Sequence, residues 1–569
     1  MRHGNWVAAV SILVTSTLGV SSALAQEADP AEVTIGERLF LETRFAEFFA
    51  RNEIDANTPL PAGDPVVDET EALQGSFPGP FAGESMNCRS CHLVDEHLDT
   101  TGGGMRTYAD FARRSPIPAR HDGKLSAPRN SPALVNASLP RPNGLLLHFD
   151  GEFPSLPALV RGTLTGRNYG WLPGEAPFAI AHIARVARED DGSGALATDF
   201  GGAYRTVLLG TDPSLPPEFV LPAEFRIDVD QATDDEVVEA VARLISAYVE
   251  QLVFATDEGG AFVGSPFDAF LAANGLPSAP DPDESALDYT RRLRRAVDQL
   301  KQPSFVNDGP FEFHPADRIF GATELDGLKI FLRPAPNRRL KAKEIAAGGI
   351  GNCATCHVAP TFADFGFHNT GIAQFDYDDI HGAGTFAALP VPGVAERNAD
   401  PNRWLPATGA HPNAAEPYRS IPSLAAVGLT DLGVWNIYAN LDFRGDVQDK
   451  LWRTLCNQEL ALAGVNANTP AKKVQSLRRS RCASNALLPK TIARFKTPGL
   501  RDLSHSAPYL HNGQQDTLEG VVELYRRAAG QARQGTLRNA APELSGIALR
   551  SEDVAALAAF LRSLNEDYN

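Results

Sequence analysis

Two short stretches of the chain combine paired cysteines with a histidine at the same spacing. One consists of Cys88, Cys91 and His92, and the other of Cys353, Cys356 and His357. C-x-x-C-H is the attachment sequence of c-type haem, in which the thiols bind the haem covalently and the histidine becomes an axial iron ligand. A zinc site or a thioredoxin-like dithiol is the alternative, but zinc normally requires further paired cysteines. The spacing therefore predicts two covalently bound haem c groups, with His92 and His357 as iron ligands, and a redox protein.

Residues 1–25 have the pattern of a secretory signal peptide. Arg2 and His3 precede an apolar run from Trp6 to Val20, and Ala23-Leu24-Ala25 offers small residues for cleavage. The run is too short and too rich in Ser, Thr and Gly for a strong membrane span. We therefore expect this segment to be removed and the mature protein to reside in the periplasm without a membrane span.

The composition of the chain is acidic. Lys and Arg number 52 and Asp and Glu 70, which gives a net charge of −18 at pH 7. Nucleic acid and anionic lipid are poor partners for such a chain. A basic electron-donor protein would be attracted by this charge, although a role in solubility alone would also explain it.

Two cysteines, Cys456 and Cys482, remain outside the haem motifs. In an oxidising compartment two such cysteines usually pair. We expect a structural disulfide between them, which would stabilise the fold by roughly 3 kcal/mol through the loop that it closes.

A weak internal repeat marks the start of two similar halves. Residues 36–41 and residues 327–332 both read Gly-x-x-aliphatic-Phe-Leu, and each opens an apolar helical pattern ahead of a haem motif. Thr34 and Thr323 are the predicted N-terminal caps of these two helices.

Each half also closes with an amphipathic helical pattern. The first starts at a capping box of Thr233 and Glu236, and the second at Ser551. An initial helix, a haem motif and a final helix follow the plan of a cytochrome c domain. The predicted fold is therefore mostly α, with two cytochrome c-like haem domains and long loop-rich insertions at residues 184–230 and 372–490.

A proline cluster between Pro277 and Pro282 separates the two halves, because prolines interrupt helical patterns. The expected organisation is an N-terminal domain at residues 26–275 with the first haem, a linker at 276–320, and a C-terminal domain at 321–569 with the second.

A set of family motifs extends over both halves. The most specific one covers residues 495–502 and 507–513 and continues to Tyr525; shorter ones cover residues 128–136, 149–151 and 367–371. Together they resemble bacterial di-haem cytochrome c peroxidases and MauG-type enzymes. This resemblance implies a first haem that meets peroxide, a second haem that relays electrons from a donor protein, a calcium ion between the domains, and often a homodimer.

The resemblance also suggests how the second iron is completed. The peroxidase branch uses a methionine there, but the three methionines of this chain all lie outside the C-terminal domain. The MauG branch uses a tyrosine, and Tyr525 stands at the matching position. A phenolate ligand would favour Fe(III). The alternatives are a packed helix tyrosine at this position, with His511 or His368 as the ligand.

The surroundings of the first haem depart from the family pattern. Peroxide cleavage needs a group that moves a proton, which the family supplies as a glutamine and a glutamate. The corresponding positions here carry Leu159 and Tyr169, and the inter-haem tryptophan corresponds to Phe149. The candidate catalytic residues are Tyr169, His148, Glu175 and Phe149, with Glu152, His182, His121 and Tyr108 as weaker candidates.

Asn130 is the candidate calcium ligand, because it matches the family's R-N-x-P motif and calcium prefers oxygen donors. Its expected partners are backbone carbonyls near Lys496 and Pro498. An asparagine that caps a turn is an equally good interpretation.

Three functions follow from these residues. The favoured one is a di-haem peroxidase or MauG-like oxidoreductase that reduces hydrogen peroxide with electrons from a small redox protein. An apolar Leu159 near the first haem would instead suit oxygenation of an organic substrate, as in rubber-cleaving di-haem oxygenases. The third is a pure electron carrier with both irons six-coordinate.

Overall fold

The computed structural model describes residues 29–67, 84–92, 114–311, 316–466 and 468–566. The predicted signal peptide lies outside these residues, as does Tyr108. The described chain is mostly helical, as predicted. None of its helices combines the length and the apolar character that crossing a bilayer requires.

Helices of the first half are α1 (Ala31–Phe40), α2 (Glu47–Asn52), α3 (Leu156–Leu164), α4 (Ala176–Glu189), α5 (Ala195–Asp199), α6 (Tyr204–Leu209) and α7 (Asp234–Gln251). Those that follow are α8 (Pro266–Ala273), α9 (Ala286–Gln299), α10 (Ala322–Leu332), α11 (Ala342–Ala347), α12 (Ile372–His381), α13 (Val394–Ala399), α14 (Pro401–Trp404), α15 (Asp446–Leu462), α16 (Ala471–Arg481), α17 (Ser484–Leu487), α18 (Leu518–Gln534) and α19 (Ser551–Arg562).

The described strands form two short antiparallel pairs. Strand β1 (Val306–Pro310) pairs with β2 (Asp317–Phe320), so that Val306 lies opposite Phe320. Strand β3 (Phe367–His368) pairs with β4 (Phe495–Lys496). The second pair joins the segment after the second haem motif to the start of the most specific family motif.

Each half contains a pair of crossed helices with a glycine at the contact. A Cβ on Gly36 of α1 would lie 2.2 Å from the Leu244 carbonyl oxygen of α7. A Cβ on Gly327 of α10 would lie 1.9 Å from the Ala556 carbonyl oxygen of α19. Both distances are far below van der Waals contact, so a side chain at either position would push the backbones apart. The internal repeat of the sequence thus corresponds to one helix crossing used twice.

The predicted capping box of α7 is confirmed. The Glu236 carboxylate accepts from the Thr233 backbone N–H at 2.8 Å, and the Thr233 hydroxyl accepts from the Glu236 N–H at 3.3 Å. The predicted caps of α1 and α10 are wrong. Helix α1 already begins at Ala31, and α10 follows Gly321, whose N–H donates to the Glu324 carboxylate at 2.8 Å.

The predicted linker at residues 276–320 contributes to the second hydrophobic core. Tyr289, Leu293 and Val297 are fully buried on one face of α9, where they join the cluster that contains Leu328 and Phe560. Their spacing of four residues places them on one helix face. This segment therefore packs against the C-terminal helices.

The predicted insertion at residues 372–490 supplies most of a third hydrophobic core, which also includes Leu146 and Phe367. Trp435 belongs to it, fully buried, together with Leu451 and Leu455 of α15. The predicted disulfide between Cys456 and Cys482 is confirmed and lies in the same core.

Candidate haem-binding site

The first C-x-x-C-H motif forms a tight turn that is hydrogen-bonded to the end of α1. The Cys88 N–H donates to the Phe40 carbonyl at 3.2 Å, and the Asn87 side chain donates to the Leu41 carbonyl at 3.0 Å. Within the turn, the His92 N–H donates to the Cys88 carbonyl at 2.9 Å. The helix crossing of the first half thereby fixes the position of both thiols and of the histidine.

The second motif is held in the same way. The Gly351 N–H donates to the Ile330 carbonyl at 2.9 Å and the Asn352 N–H to the Arg333 carbonyl at 3.0 Å, at the end of α10. The His357 N–H donates to the Cys353 carbonyl at 2.9 Å, which is the same contact as in the first motif. Each predicted haem would thus be attached just beyond the initial helix of its half.

The two motif histidines are half-buried and neutral. Burial lowers the pKa of His92 to about 4 and also lowers the pKa of His357. The His357 Nδ1 atom bonds the Phe362 carbonyl at 2.7 Å. The His92 Nδ1 atom has no hydrogen bond of good geometry within the described residues, although the nearby Pro132 carbonyl favours its protonated form. A neutral imidazole with Nδ1 directed at a carbonyl leaves Nε2 free to bind a metal.

The four motif cysteines are free thiols, and all are half-buried. Burial raises the pKa of Cys88 to about 11 and that of Cys353 to about 12. They are therefore protonated near neutral pH, and since none is in a disulfide, each sulfur is free to form a thioether. Two pairs of free thiols, each beside a neutral histidine and anchored on equivalent turns, fit two haem c groups.

A cavity of about 340 Å³ extends from the second motif into the first half. Cys353, Cys356 and His357 contribute to its wall on one side. The residues of the first half that line it include Leu134, Leu147, His148, Phe149, Leu156 and Leu159. The cavity therefore connects the surroundings of the second haem motif with those predicted for the first haem.

Three aromatic rings lie along this cavity at the junction of the two halves. The Phe495 ring stacks on His511 with 3.6 Å between centroids and 13° between planes. Phe149 meets the His511 ring edge-on, with 6.4 Å between centroids. Burial lowers the pKa of His511 to about 3, so its ring is neutral. Phe149, predicted to replace the inter-haem tryptophan, thus belongs to a three-ring bridge that also contains a candidate iron ligand.

The candidate ligands of the second iron differ in their surroundings. Tyr525 on α18 lines the cavity, and burial raises the pKa of its hydroxyl. His368 also lines it, but Nε2 lies 2.9 Å from the Asp364 carboxylate and Nδ1 lies 3.6 Å from the Cys356 sulfur. Because both of its ring nitrogens have partners, His368 is less available than Tyr525.

His148 lies in the cavity wall at the end of a chain of polar contacts. Its Nδ1 lies 3.4 Å from the Glu152 carboxylate, which in turn accepts from Arg419 at 3.1 Å. Burial raises the pKa of Glu152, but the Arg419 guanidinium outweighs this effect and holds the pKa well below its ordinary value. Glu152 is therefore ionised and can orient the imidazole of His148.

This chain of contacts continues into a buried ionic cluster that sequence reasoning missed. Arg129 forms ion pairs with Asp150 and Asp431, each at 2.6 Å, and Arg419 lies 3.7 Å from Asp150. Arg419 and Asp431 belong to the insertion, 267 and 302 residues away from their partners Glu152 and Arg129. No local pattern in the sequence indicates contacts of this separation.

The other two catalytic candidates lie outside the cavity wall. The Tyr169 hydroxyl lies 3.2 Å from the Cys88 sulfur, deeply buried, so it is placed at the attachment side of the first haem motif. Glu175 accepts from Arg120 at 3.0 Å, in a partly exposed ion pair. Of the weaker candidates, His182 lies with its Nε2 atom 2.7 Å from the Arg44 carbonyl oxygen.

Asn130 connects the two halves. Its side-chain amide donates to the Pro508 carbonyl at 2.7 Å, and its backbone N–H donates to the His511 carbonyl at 2.8 Å. Its side-chain oxygen accepts from the Ser131 N–H at 3.0 Å. These contacts lead to a different loop from the predicted carbonyls near Lys496 and Pro498, and the calcium assignment stays a prediction.

Comparison with known proteins gives short sequence matches. No protein-family model matches the chain. Two cytochrome c peroxidases of Denitromonas iodatirespirans, IdrP2 and IdrP1, are 38% and 35% identical to it over 77 residues. The predicted resemblance to cytochrome c peroxidases is confirmed. The matches cover 14% of this chain and 18% and 19% of those relatives, so the chain matches less than a fifth of their length.

Two solved structures align over most of the chain. The di-haem peroxidase BthA from Burkholderia thailandensis is 16% identical, with a TM-score of 0.42 and coverage of 95% of this chain and 87% of that chain. A MauG-like protein associated with microbial copper homeostasis is 15% identical, with a TM-score of 0.41 and coverage of 95% and 90%.

Proposed function

We propose that the chain is a periplasmic di-haem c-type oxidoreductase of the peroxidase type, which reduces hydrogen peroxide with electrons from a donor protein. The cavity that runs from the second haem motif to His148, whose charge also acts on the pKa of His92, is the observation that carries this proposal. It is one space lined by residues of both halves, so a substrate bound in it would lie close to the second haem motif and to the predicted surroundings of the first haem. When bound, haem supplies an iron centre for peroxide in the first half and an electron relay in the second.

His148 is the residue placed to move a proton in this space. The ionised Glu152 carboxylate accepts from Nδ1–H and thereby selects the tautomer whose Nε2 carries the free lone pair. Arg419 keeps the carboxylate charged and oriented. His148 would therefore take the role that a glutamate has in the family, with Nε2 as the atom that accepts and returns the proton.

The three-ring bridge of Phe149, His511 and Phe495 would carry electrons between the halves. Phenylalanine is difficult to oxidise, so we infer direct tunnelling through packed rings without a radical on the bridge. Tyr525 would complete the coordination of the second iron, because its side chain lines the cavity and no methionine lies in that half.

The proposal is tested by spectroscopy of the holoprotein and by one variant. We expect a high-spin signal from one haem in the oxidised protein and rapid oxidation of the reduced protein by stoichiometric peroxide. His148→Gln should slow that oxidation by about 10²- to 10⁴-fold, the usual contribution of a positioned acid–base group. The matched control is His121→Gln, because His121 is exposed in the same half.

Each outcome decides between specific functions. Two low-spin six-coordinate haems that do not react with peroxide would identify an electron carrier. A wild-type rate in His148→Gln would contradict the proton role of His148.

The apolar contribution of Leu156 and Leu159 to the cavity favours a second candidate, oxygenation of an organic substrate. Stable binding of dioxygen by the reduced protein, without reaction with peroxide, would identify that activity.

A further inference from the structure

A second, larger recess opens on the surface beside the second haem motif. It has a volume of about 930 Å³. Its walls come from α9, from the segment that follows α10, and from the last turn of α18. Ala354 and Thr355, the two residues between the motif cysteines, also line it, and Thr355 is exposed. The recess therefore borders the attachment edge of the second haem site.

The lining of this recess is strongly basic, in contrast to the chain as a whole. Glu543 is its only acidic residue within the described part of the chain. Six arginines line it: Arg291, Arg294, Arg295, Arg338, Arg339 and Arg533. The chain has a net charge of −18, so this surface has the opposite sign to the average of the molecule.

Only some of these arginines are neutralised by acidic neighbours. Arg291 pairs with Asp288 at 2.9 Å and Arg338 with Glu344 at 2.6 Å. For Arg294 and Arg339, no carboxylate partner is found among the residues that the structure describes. A positive charge without an acidic neighbour remains available to a partner molecule.

Arg533 at the end of α18 is also available to an anionic partner. It is half-buried, and its guanidinium donates to the Ile547 carbonyl. Burial lowers its pKa, and no carboxylate counters this effect within the described residues. A cation in this state gains more from an approaching anion than a fully solvated cation does.

We propose that this recess is the docking surface for an acidic electron-donor protein. The proposal rests on the proposed function, in which the second haem receives the electrons. A donor whose acidic face contacts the arginines would bring its redox centre next to the attachment edge at Ala354 and Thr355. The net charge of the chain had favoured a basic donor, whereas the charges at the site itself select an acidic one.

The distribution of the arginines favours a protein over a small anion. Arg291, Arg295, Arg338 and Arg339 are exposed around the recess, and only Arg294 and Arg533 are half-buried. A site for a small anion concentrates buried donors on one point, whereas dispersed exposed charges at a rim steer a protein partner.

The test is a binding titration with a small acidic cupredoxin in its redox-inert zinc form. The holoprotein should bind this probe at low ionic strength, and Arg294→Glu combined with Arg339→Glu should weaken the affinity by about 10-fold or more. The matched control is Lys473→Glu combined with Arg479→Glu. Both residues are exposed on α16, which is equally basic but does not line the recess. Circular dichroism and haem absorption confirm the fold of each variant.

Electron entry is measured separately, with the reduced copper form of the same probe. Reduction of the second haem should be slowed by about 10-fold or more in the Arg294 and Arg339 variant, with loss of the difference at high salt. Reduction by hydroquinone, a small neutral reductant, should not change. Equal binding by the recess variant and the control, or stronger binding of a basic cupredoxin, would overturn the proposal.

Competition with a small anion and the reaction with peroxide give two further outcomes. Displacement of the zinc cupredoxin by low concentrations of inorganic pyrophosphate, together with tight binding of pyrophosphate itself, would identify a small-anion site and overturn the proposal. Normal docking in a protein that does not react with peroxide would refute the peroxidase function but leave the docking surface in place.

Discussion

Replacing Gly327 by alanine should destabilise the C-terminal half, whereas the same substitution at Gly530 should not. A Cβ on Gly327 would lie 1.9 Å from the Ala556 carbonyl oxygen and 2.8 Å from the Phe560 Cβ. A Cβ on Gly530 meets no atom within 4 Å. Since ordinary contact begins at 3.4 Å, α10 and α19 would have to separate by about 1.5 Å in the first variant.

The size of the effect follows from two opposing contributions. Overpacking against a backbone that cannot move aside costs about 3 kcal/mol. Alanine in place of glycine within a helix returns about 1 kcal/mol. We therefore expect Gly327→Ala to lower the free energy of unfolding by about 2 kcal/mol and Gly530→Ala, within α18, to raise it by about 1 kcal/mol.

Thermal unfolding of the holoprotein, followed by circular dichroism and by haem absorption, measures this difference. A loss of about 2 kcal/mol in a cooperative unit of roughly 150–250 residues corresponds to a midpoint about 4–8 °C lower. The absorption of the second haem should respond, because the Ile330 and Arg333 carbonyls at the end of α10 hold its motif. An unchanged midpoint in Gly327→Ala, or equal losses in both variants, would refute the close helix crossing.

Four other variants test separate parts of the structure. Tyr525→Phe should change the absorption spectrum of the second haem, and an unchanged spectrum would rule out this residue as an iron ligand. Burial raises the pKa of Glu42, but its arginine neighbour outweighs this and lowers the pKa from 4.5 to about 2. The stability that Glu42 contributes, roughly 3 kcal/mol, is thus present above pH 4.5 and lost as the pH falls towards 2. Acid unfolding of Glu42→Gln should lack this step. Cys456→Ser combined with Cys482→Ser should cost about 3 kcal/mol in denaturant unfolding, because the closed loop spans 26 residues. Arg419→Ala should cost about 3–5 kcal/mol in the same assay, because the largely buried Glu152 carboxylate loses its arginine partner, whereas Asp150 keeps Arg129; a loss below about 1 kcal/mol would contradict the ionic cluster.

The sequence best predicted those features that depend on residues close together in the chain. The capping box at Thr233 and the pairing of Cys456 with Cys482 each involve residue types whose chemistry allows few interpretations. The internal repeat is another short pattern with a structural counterpart, since its glycines, Gly36 and Gly327, lie at the contacts of two similar helix crossings.

The remainder of the site depends on contacts between distant parts of the chain. Arg419 reaches Glu152 across 267 residues, and no periodicity indicates such a pair. Tyr169, aligned with a catalytic glutamate by its position in the sequence, lies instead beside the Cys88 sulfur. The linker was predicted from prolines, but the apolar face of α9 decided its packing. Local sequence patterns predict helices and strands. Which side chains meet in the candidate site is decided by how those helices and strands pack.

The recess beside the second haem motif shows why net charge is a poor guide to a docking partner. At physiological ionic strength, electrostatic interactions between exposed charges are screened over about 8 Å. A partner within that distance of the motif therefore senses the nearby arginines and little of the acidic surface elsewhere. The −18 charge of the whole chain acts mainly at long range and at low salt. An acidic donor would thus be weakly repelled at long range and attracted once it is near the recess. Its association should therefore be slow, but its dissociation should also be slow, so that it still binds tightly. Charge reversal at Arg294 and Arg339 should accordingly act on dissociation as well as on association, whereas the control charges on α16 should act only on long-range association at low salt.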